Sequence, residues 1–415
     1  MTEVRVPYGD KEICVDIPKE NLIGIIDPIP VEKRNEEHVV NESLRNPISH
    51  IEFSRFIKNG RILFIVNDAD RPTPTKKILD AIWDKIKDTD FEFIVATGSH
   101  REPSREELEE IFGIDRFGEI GDRIHIHKSR DDEFEFLGKT SKGTEFLINK
   151  RVMEFDKLIN INSVEPHYFA GYTGGRKSFL PGVSAYKTIE QNHRFALDKN
   201  AITCKLENNP VHEDMTEAVS ILEKKKRIFS INIVNDNNKD IYDSKSGDWR
   251  GSFLRAVKSC KKIYCVPIKE RADIVITVAQ RPLDKNLYQS QKALENGKMA
   301  LKRDGYLILV SKCDNGIGPS EFYNLLEKSD IPEELFNEIK DNYKLGYHKA
   351  AKFIDLATWA KMCAITDLND KIVRNCFMTP FKDLQDAIDN AIEEKGKDAK
   401  ILILRNGAVT VPLLS

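Results

Sequence analysis

Paired cysteines are missing from this chain. The seven cysteines (Cys14, Cys204, Cys260, Cys265, Cys313, Cys363 and Cys376) are scattered and odd in number, and no CxxC occurs. That spacing excludes a structural zinc knuckle and a CxxC redox pair, and it predicts buried, reduced thiols. Long apolar runs are also missing; none approaches the roughly 20 residues of a membrane span. The opening stretch MTEVRVPYGDKEICVDIP has no basic segment followed by an apolar one, so no signal peptide is expected. Neither sign of charge dominates: 64 Lys and Arg stand against 67 Asp and Glu. Such a balance gives no long-range field for nucleic acid or an anionic membrane, and neither is an expected partner. Repeats and low-complexity linkers are absent as well. The expectation is a soluble, cytoplasmic protein, and self-association is compatible with it.

At 415 residues the chain is long for a single core, which predicts two domains. Residues 2–17 alternate around Tyr8-Gly9-Asp10-Lys11 and read as a hairpin. Residues 33–59 read as an amphipathic helix. Apolar runs at 61–66, 91–96 and 157–162 read as buried parallel strands, with a helix at 75–88 between the first two and another at 104–112 after the second. The pattern restarts near residue 270, with strands at 272–278 and 305–310 around a helix at 286–303. The expected fold class is α/β, with two α/β domains, parallel-type sheets and an active-site cleft between them. The first domain is expected over 1–268, with a strand near 400–415 returning to it, and the second over 269–398.

In open α/β sheets ligands bind beyond the carboxyl ends of the strands. Asp68, Arg71 and His100 follow two such ends, and the third leads to His167. The segment PHYFAGYTGGRKSFLPG then sets His167, Lys177 and, further on, His193 around a glycine loop. Gly174, Gly175, Arg176 and Lys177 resemble a phosphate cradle without the GxxxxGK[ST] of a P-loop. The alternative is a tight turn with solvated basic side chains. Arg71 lies in a proline-stiffened loop, suited to a carboxylate or to a salt bridge with Asp68 or Asp70. His125 and His127 alternate with isoleucines and are assigned no chemistry. Gln289 and Lys292, three apart, share a helix face beside Tyr288. Lys349 and Trp359 are candidates to line the same cleft, and helix packing explains them equally well.

Taken together, these motifs resemble the nickel-pincer lactate racemase family. The resemblance runs through DxxRPTP (Asp68 to Pro74), a GxHR loop (Gly98 to Arg101), HxFAGxxGGRKxxLPG (His167 to Gly182), His193 and Tyr288-Gln289-Ser290-Gln291-Lys292. It implies a racemase or epimerase, an isomerase that inverts C2 of a 2-hydroxy acid. It also implies a nickel pyridinium-3,5-bisthiocarboxylic acid mononucleotide attached at Lys177. By the same resemblance His193 ligates nickel, and His100 and His167 are the acid/base pair. Arg71 and Lys292 hold the substrate carboxylate with Gln289 and Tyr288, and Phe169 packs on the pyridinium. Asp68, grouped with the cofactor-side residues, orients a catalytic histidine or Arg71. The loop of Gly174, Gly175 and Arg176 receives the cofactor phosphate. Implied partners are a small 2-hydroxy acid and the cofactor-making enzymes; protein produced without those enzymes carries a free Lys177. Asp70 departs from the pattern, standing where a threonine is expected. Two other readings use the same residues: a hydrolase holding a simple divalent metal on the three histidines, and a non-catalytic carboxylate or nucleotide sensor.

Overall fold

The structure is a computed structural model and describes residues 1–415. The chain divides into two compact units, residues 30–263 and residues 1–29 with 264–415. Both are α/β, and each is built on a six-stranded sheet.

In the unit of residues 30–263 the sheet order is Ile241–Gly247, Arg227–Asn235, Lys157–Ser163, Ile62–Asn67, Phe91–Ala96, Ile124–Ile126. All neighbours are parallel except the first pair. The central strands are apolar on both faces because helices cover both, so they read as unbroken runs. Phe64, Phe91, Phe93 and Phe112 pack edge-on or tilted, with ring centroids 5.1–6.1 Å apart. Helix Arg105–Phe112 starts at a capping box, with the Ser104 side chain accepting from Glu107 N–H and Glu107 returning to Ser104 N–H. The expected long helix at 33–59 is instead two pieces, Glu36–Arg45 and Phe53–Phe56. Pro47 and the left-handed Ser49 (φ 48°) break it, and Ile48 bridges to Gly247 at the sheet edge.

The other sheet is parallel throughout, in the order Met378–Phe381, Lys361–Ile365, Leu301–Val310, Ala272–Val278, Ile401–Leu404, Leu22–Ile26. Its helix Leu287–Gly297 ends earlier than the expected 303, and the next strand starts at Leu301, where it pairs with Ala272. The domain boundary also differs from the expected 1–268. Leu22–Ile26 lies beside Ile401–Leu404, and Val411–Leu414 pairs with Cys265–Ile268. Residues 1–29 and the C-terminal strands therefore belong to one unit. The hairpin Thr2–Tyr8/Lys11–Ile17 contributes Val4, Val6, Val15 and Ile17 to that unit's core. No helix is long and apolar enough to cross a membrane.

Candidate active site

Three adjacent parallel strands of the 30–263 unit end at one rim. Beyond Asn67 comes the loop with Asp68 and Arg71, beyond Ala96 the loop with His100, and beyond Ser163 the turn with His167. Cross-links hold the loops together. The Thr73 hydroxyl donates to Asn67 Oδ1 at 2.8 Å and accepts from Ser163 N–H at 3.1 Å. Gly98 N–H donates to Gly182 O at 3.0 Å, fastening the His100 loop to the end of the glycine segment.

Asp68 is buried, and its Oδ2 lies 2.7 Å from His100 Nδ1. Asp70 Oδ2 lies 3.4 Å from the same nitrogen. Neither carboxylate turns to Arg71, so of the two roles open to it, the salt bridge is not formed. Arg101, beside His100, is engaged elsewhere, reaching Glu107 with both terminal nitrogens. That contact, followed by Ser104 N–H, holds the Glu107 carboxyl down at about 2.

His167, Lys177 and His193 converge on one ring. The His167 imidazole meets Phe169 edge-on at 4.5 Å between centroids, and His193 meets it at 5.1 Å. Lys177 Nζ lies 5.4 Å from the same centroid. His193 is buried near the end of helix Tyr186–Arg194. The preceding Asn192 anchors that helix to the buried Asp214 at 2.8 Å. His167 Nδ1 accepts from Ala170 N–H at 3.3 Å and Phe169 N–H at 3.5 Å across a tight turn.

The glycine loop is tied from inside. Arg176 is fully buried and donates to the carbonyls of Gly174, Ala170 and Tyr172 at 3.3, 2.7 and 3.0 Å. It lies over the Phe253 ring at 4.4 Å. Burial lowers its pKa to about 9, which leaves it a cation at neutral pH. Gly175 N–H is shared by Asn162 Oδ1 and Asn232 Oδ1 at 2.9 and 3.0 Å. Gly174 has φ 84°, and a Cβ there would sit 2.5 Å from Val164 Cγ2. The glycines allow close packing and Arg176 ties the loop from inside, so Arg176 is not a solvated basic side chain. Asn162 and Asn232 hold the loop that carries Lys177, and the sequence reading missed them. Their signal was present: buried asparagines on strands that are otherwise apolar.

In the other unit Tyr288, Gln289 and Lys292 open helix Leu287–Gly297, capped by Asn286. Gln289 and Lys292 share a face. Burial raises the Tyr288 phenol. Lys349 is buried, donates to Tyr288 O at 2.7 Å and lies 3.6 Å from the Tyr288 centroid. It therefore builds the Tyr288 turn, which neither its charge nor its helix position announced. His127 is buried too, held by Ser184 O and Asn149.

Among the described residues the one set of three potential metal donors within 4.8 Å of one another is Asp68, Asp70 and His100. His100, His167 and His193 do not form such a set, so the three-histidine metal site of the hydrolase reading is not assembled.

The lactate racemase N-terminal domain profile matches residues 8–204, and the lactate racemase C-terminal domain profile matches 268–411. The chain is 32% identical to the lactate racemase of Thermoanaerobacterium thermosaccharolyticum, over 99% of each chain. It is 30% identical to that of Lactiplantibacillus plantarum, over 98% of this chain and 99% of that one. The structure of the T. thermosaccharolyticum apoprotein superposes with a TM-score of 0.90 at 31% identity, covering 99% of this chain and 100% of that one. A Thermotoga maritima protein shares the fold alone, with a TM-score of 0.67 at 16% identity over 91% of this chain and 98% of its own. The motif order, the two α/β units and these full-length matches together make the chain a member of the lactate racemase family, an isomerase.

Proposed function

We propose that this chain inverts C2 of a 2-hydroxy acid, lactate or a larger relative, using a nickel-pincer nucleotide held covalently at Lys177. The reading is carried by the convergence of His167, Lys177 and His193 on the Phe169 ring. The two imidazoles, one primary amine and aromatic face gather no three-donor set of His, Cys, Asp or Glu, so they do not make a site for a bare ion. They suit a planar pyridinium that brings its own sulfur donors, leaving nickel one imidazole, that of His193. When bound, that group supplies a reversible hydride acceptor.

The remaining work falls to side chains. Arg71, with both neighbouring carboxylates turned to His100, offers a bidentate fork to the substrate carboxylate. Lys292, Gln289 and Tyr288 are the corresponding candidates of the other unit. His100 exchanges the substrate hydroxyl proton at Nε2 while Asp68 holds its Nδ1. His167 serves the hydroxyl of the opposite hand. Gly174, Gly175 and Arg176 act on the shape of the Lys177 loop rather than on a phosphate.

The test is co-expression with cofactor-making enzymes, followed by intact mass, nickel content and a panel of enantiopure 2-hydroxy acids. The expected result is an adduct abolished by Lys177→Ala and loss of optical rotation with one or more acids. Absence of any adduct on Lys177 under those conditions would sink the cofactor assignment. Turnover restored to adduct-free protein by zinc alone would sink the racemase reading.

A further inference from the structure

The two proposed acid/base histidines are anchored at the same ring atom by opposite chemistry. His100 Nδ1 faces Asp68 Oδ2 at 2.7 Å and Asp70 Oδ2 at 3.4 Å. Ionised carboxylates only accept, so this nitrogen carries the hydrogen and the neutral ring has its lone pair at Nε2. His167 Nδ1 faces Ala170 N–H at 3.3 Å and Phe169 N–H at 3.5 Å. Backbone N–H groups only donate, so here Nδ1 carries the lone pair and the hydrogen sits at Nε2. None of these anchors can exchange roles with its imidazole.

We propose that His100 and His167 are held in opposite neutral tautomers, and that Asp70, with Asp68, is a positioning residue that fixes the His100 tautomer. The inference rests on the reading that these two histidines serve opposite hands of the substrate. Asp70 is well placed for the task. Its carboxylate lies within ion-pair distance of no side chain but His100, and Arg101 is taken by Glu107.

The consequence is an inequality between the two directions. When His100 takes the hydroxyl proton, the O–H bond breaks, Nε2–H forms, and the oxygen keeps the electron pair. The ring needs no rearrangement, since Nδ1–H stays on its carboxylates. For His167 to accept at Nε2, its Nδ1 must first release both backbone N–H groups and take up the hydrogen. One hand of the substrate meets a prepared ring and the other does not. Enantiomers have an equilibrium constant of one, so kcat/KM is equal in both directions. The inequality therefore appears as kcat and KM that are both several-fold larger for one hand.

Ring tautomers are read directly by ¹⁵N shifts of the full-length protein labelled at histidine, followed upward in pH until they stop changing. His100→Gln and His167→Gln assign the signals. The expected result is a protonated Nδ1 with a bare Nε2 for His100, and the reverse for His167. Asp70→Ala moves the His100 pair toward a tautomeric mixture, and Asp70→Asn restores part of it. The same tautomer in both rings overturns the proposal, and His100 shifts unmoved by Asp70→Ala remove Asp70 from it. Opposite tautomers in a loaded protein that turns over no 2-hydroxy acid would support this inference and overturn the functional reading. Matching tautomers with full turnover would do the reverse.

Discussion

Asp68 holds His100 by a 2.7 Å contact from Oδ2 to Nδ1, while its buried Oδ1 has no hydrogen-bond partner. The carboxylate is thus committed to one ring. In Asp68→Asn the amide can present N–H₂ to Nδ1 and force the wrong tautomer. In the loaded enzyme kcat falls by up to about 10⁴-fold, the loss on neutralising the carboxylate that orients the histidine of a serine-protease triad. Intact mass is the control: the Lys177 adduct stays. An adduct lost together with activity would place Asp68 on the cofactor side instead.

Arg176 bridges three carbonyls inside the glycine loop. Arg176→Met removes all three bonds, while Ala170 O and Gly174 O keep Tyr172 N–H and Lys177 N–H as donors, so the cost is about 1–3 kcal/mol in total rather than for each carbonyl. A shorter-reaching Arg176→Lys satisfies only some of them and falls between. Thermal or urea unfolding measures the order wild type, Lys, Met. A Met variant as stable as wild type would refute the internal-tie role.

Gly174 and Gly143 separate close packing from backbone conformation. Both have positive φ, 84° and 90°. A Cβ at Gly143 meets nothing within 4 Å, whereas one at Gly174 meets Val164 Cγ2 at 2.5 Å and Asn162 Oδ1 at 2.7 Å. Gly143→Ala therefore costs about 1–2 kcal/mol, the left-handed penalty alone. Gly174→Ala costs more by about 1–3 kcal/mol for the overpacked contact, and adduct formation at Lys177 drops with it. Equal unfolding midpoints for the two variants would contradict this account.

His212 is mostly buried, its ring 6.1 Å from that of Phe253, and its pKa is lowered to about 2 by burial, then by Arg176 and Arg250. The unfolded chain protonates this residue near 6.5 while the folded one does not. Between those values the unfolded state binds more protons, so stability falls as pH drops below about 6.5, by up to about 1.4 kcal/mol per pH unit. Unfolding midpoints from pH 7 to 4 should decline more steeply in wild type than in His212→Gln. Parallel declines would show that His212 is not buried neutral.

Much of this was legible in the sequence. The strands 62–67, 91–96 and 157–163 announce themselves because burial on both faces demands continuous apolar runs. The S-x-x-E cap of helix Arg105–Phe112 is a local signal, and so is the placement of His100 and His167 after strand ends. Arg176 was not legible. A basic residue after two glycines reads as an anion contact, and its burial depends on Phe253, which lies far along the chain. The Asp70 contact with His100 escaped for the same reason, since it joins loops from two strands. The domain boundary was hidden because Leu22–Ile26 finds its partner in Ile401–Leu404, a pairing with no local trace.

That pairing has a consequence for biosynthesis. Leu22–Ile26 leaves the ribosome long before Ile401–Leu404, its neighbour in the sheet. At about 5–20 residues per second, the strand waits roughly 20–80 seconds for a partner, carrying Ile23 and Ile25 exposed even in the finished sheet. Meanwhile residues 30–263 emerge as one uninterrupted unit that contains every partner its own sheet requires. The part of the protein made first is therefore not the part completed first. The rim bearing His100, His167 and Lys177 can form on the nascent chain before the unit carrying Lys292 has a closed sheet.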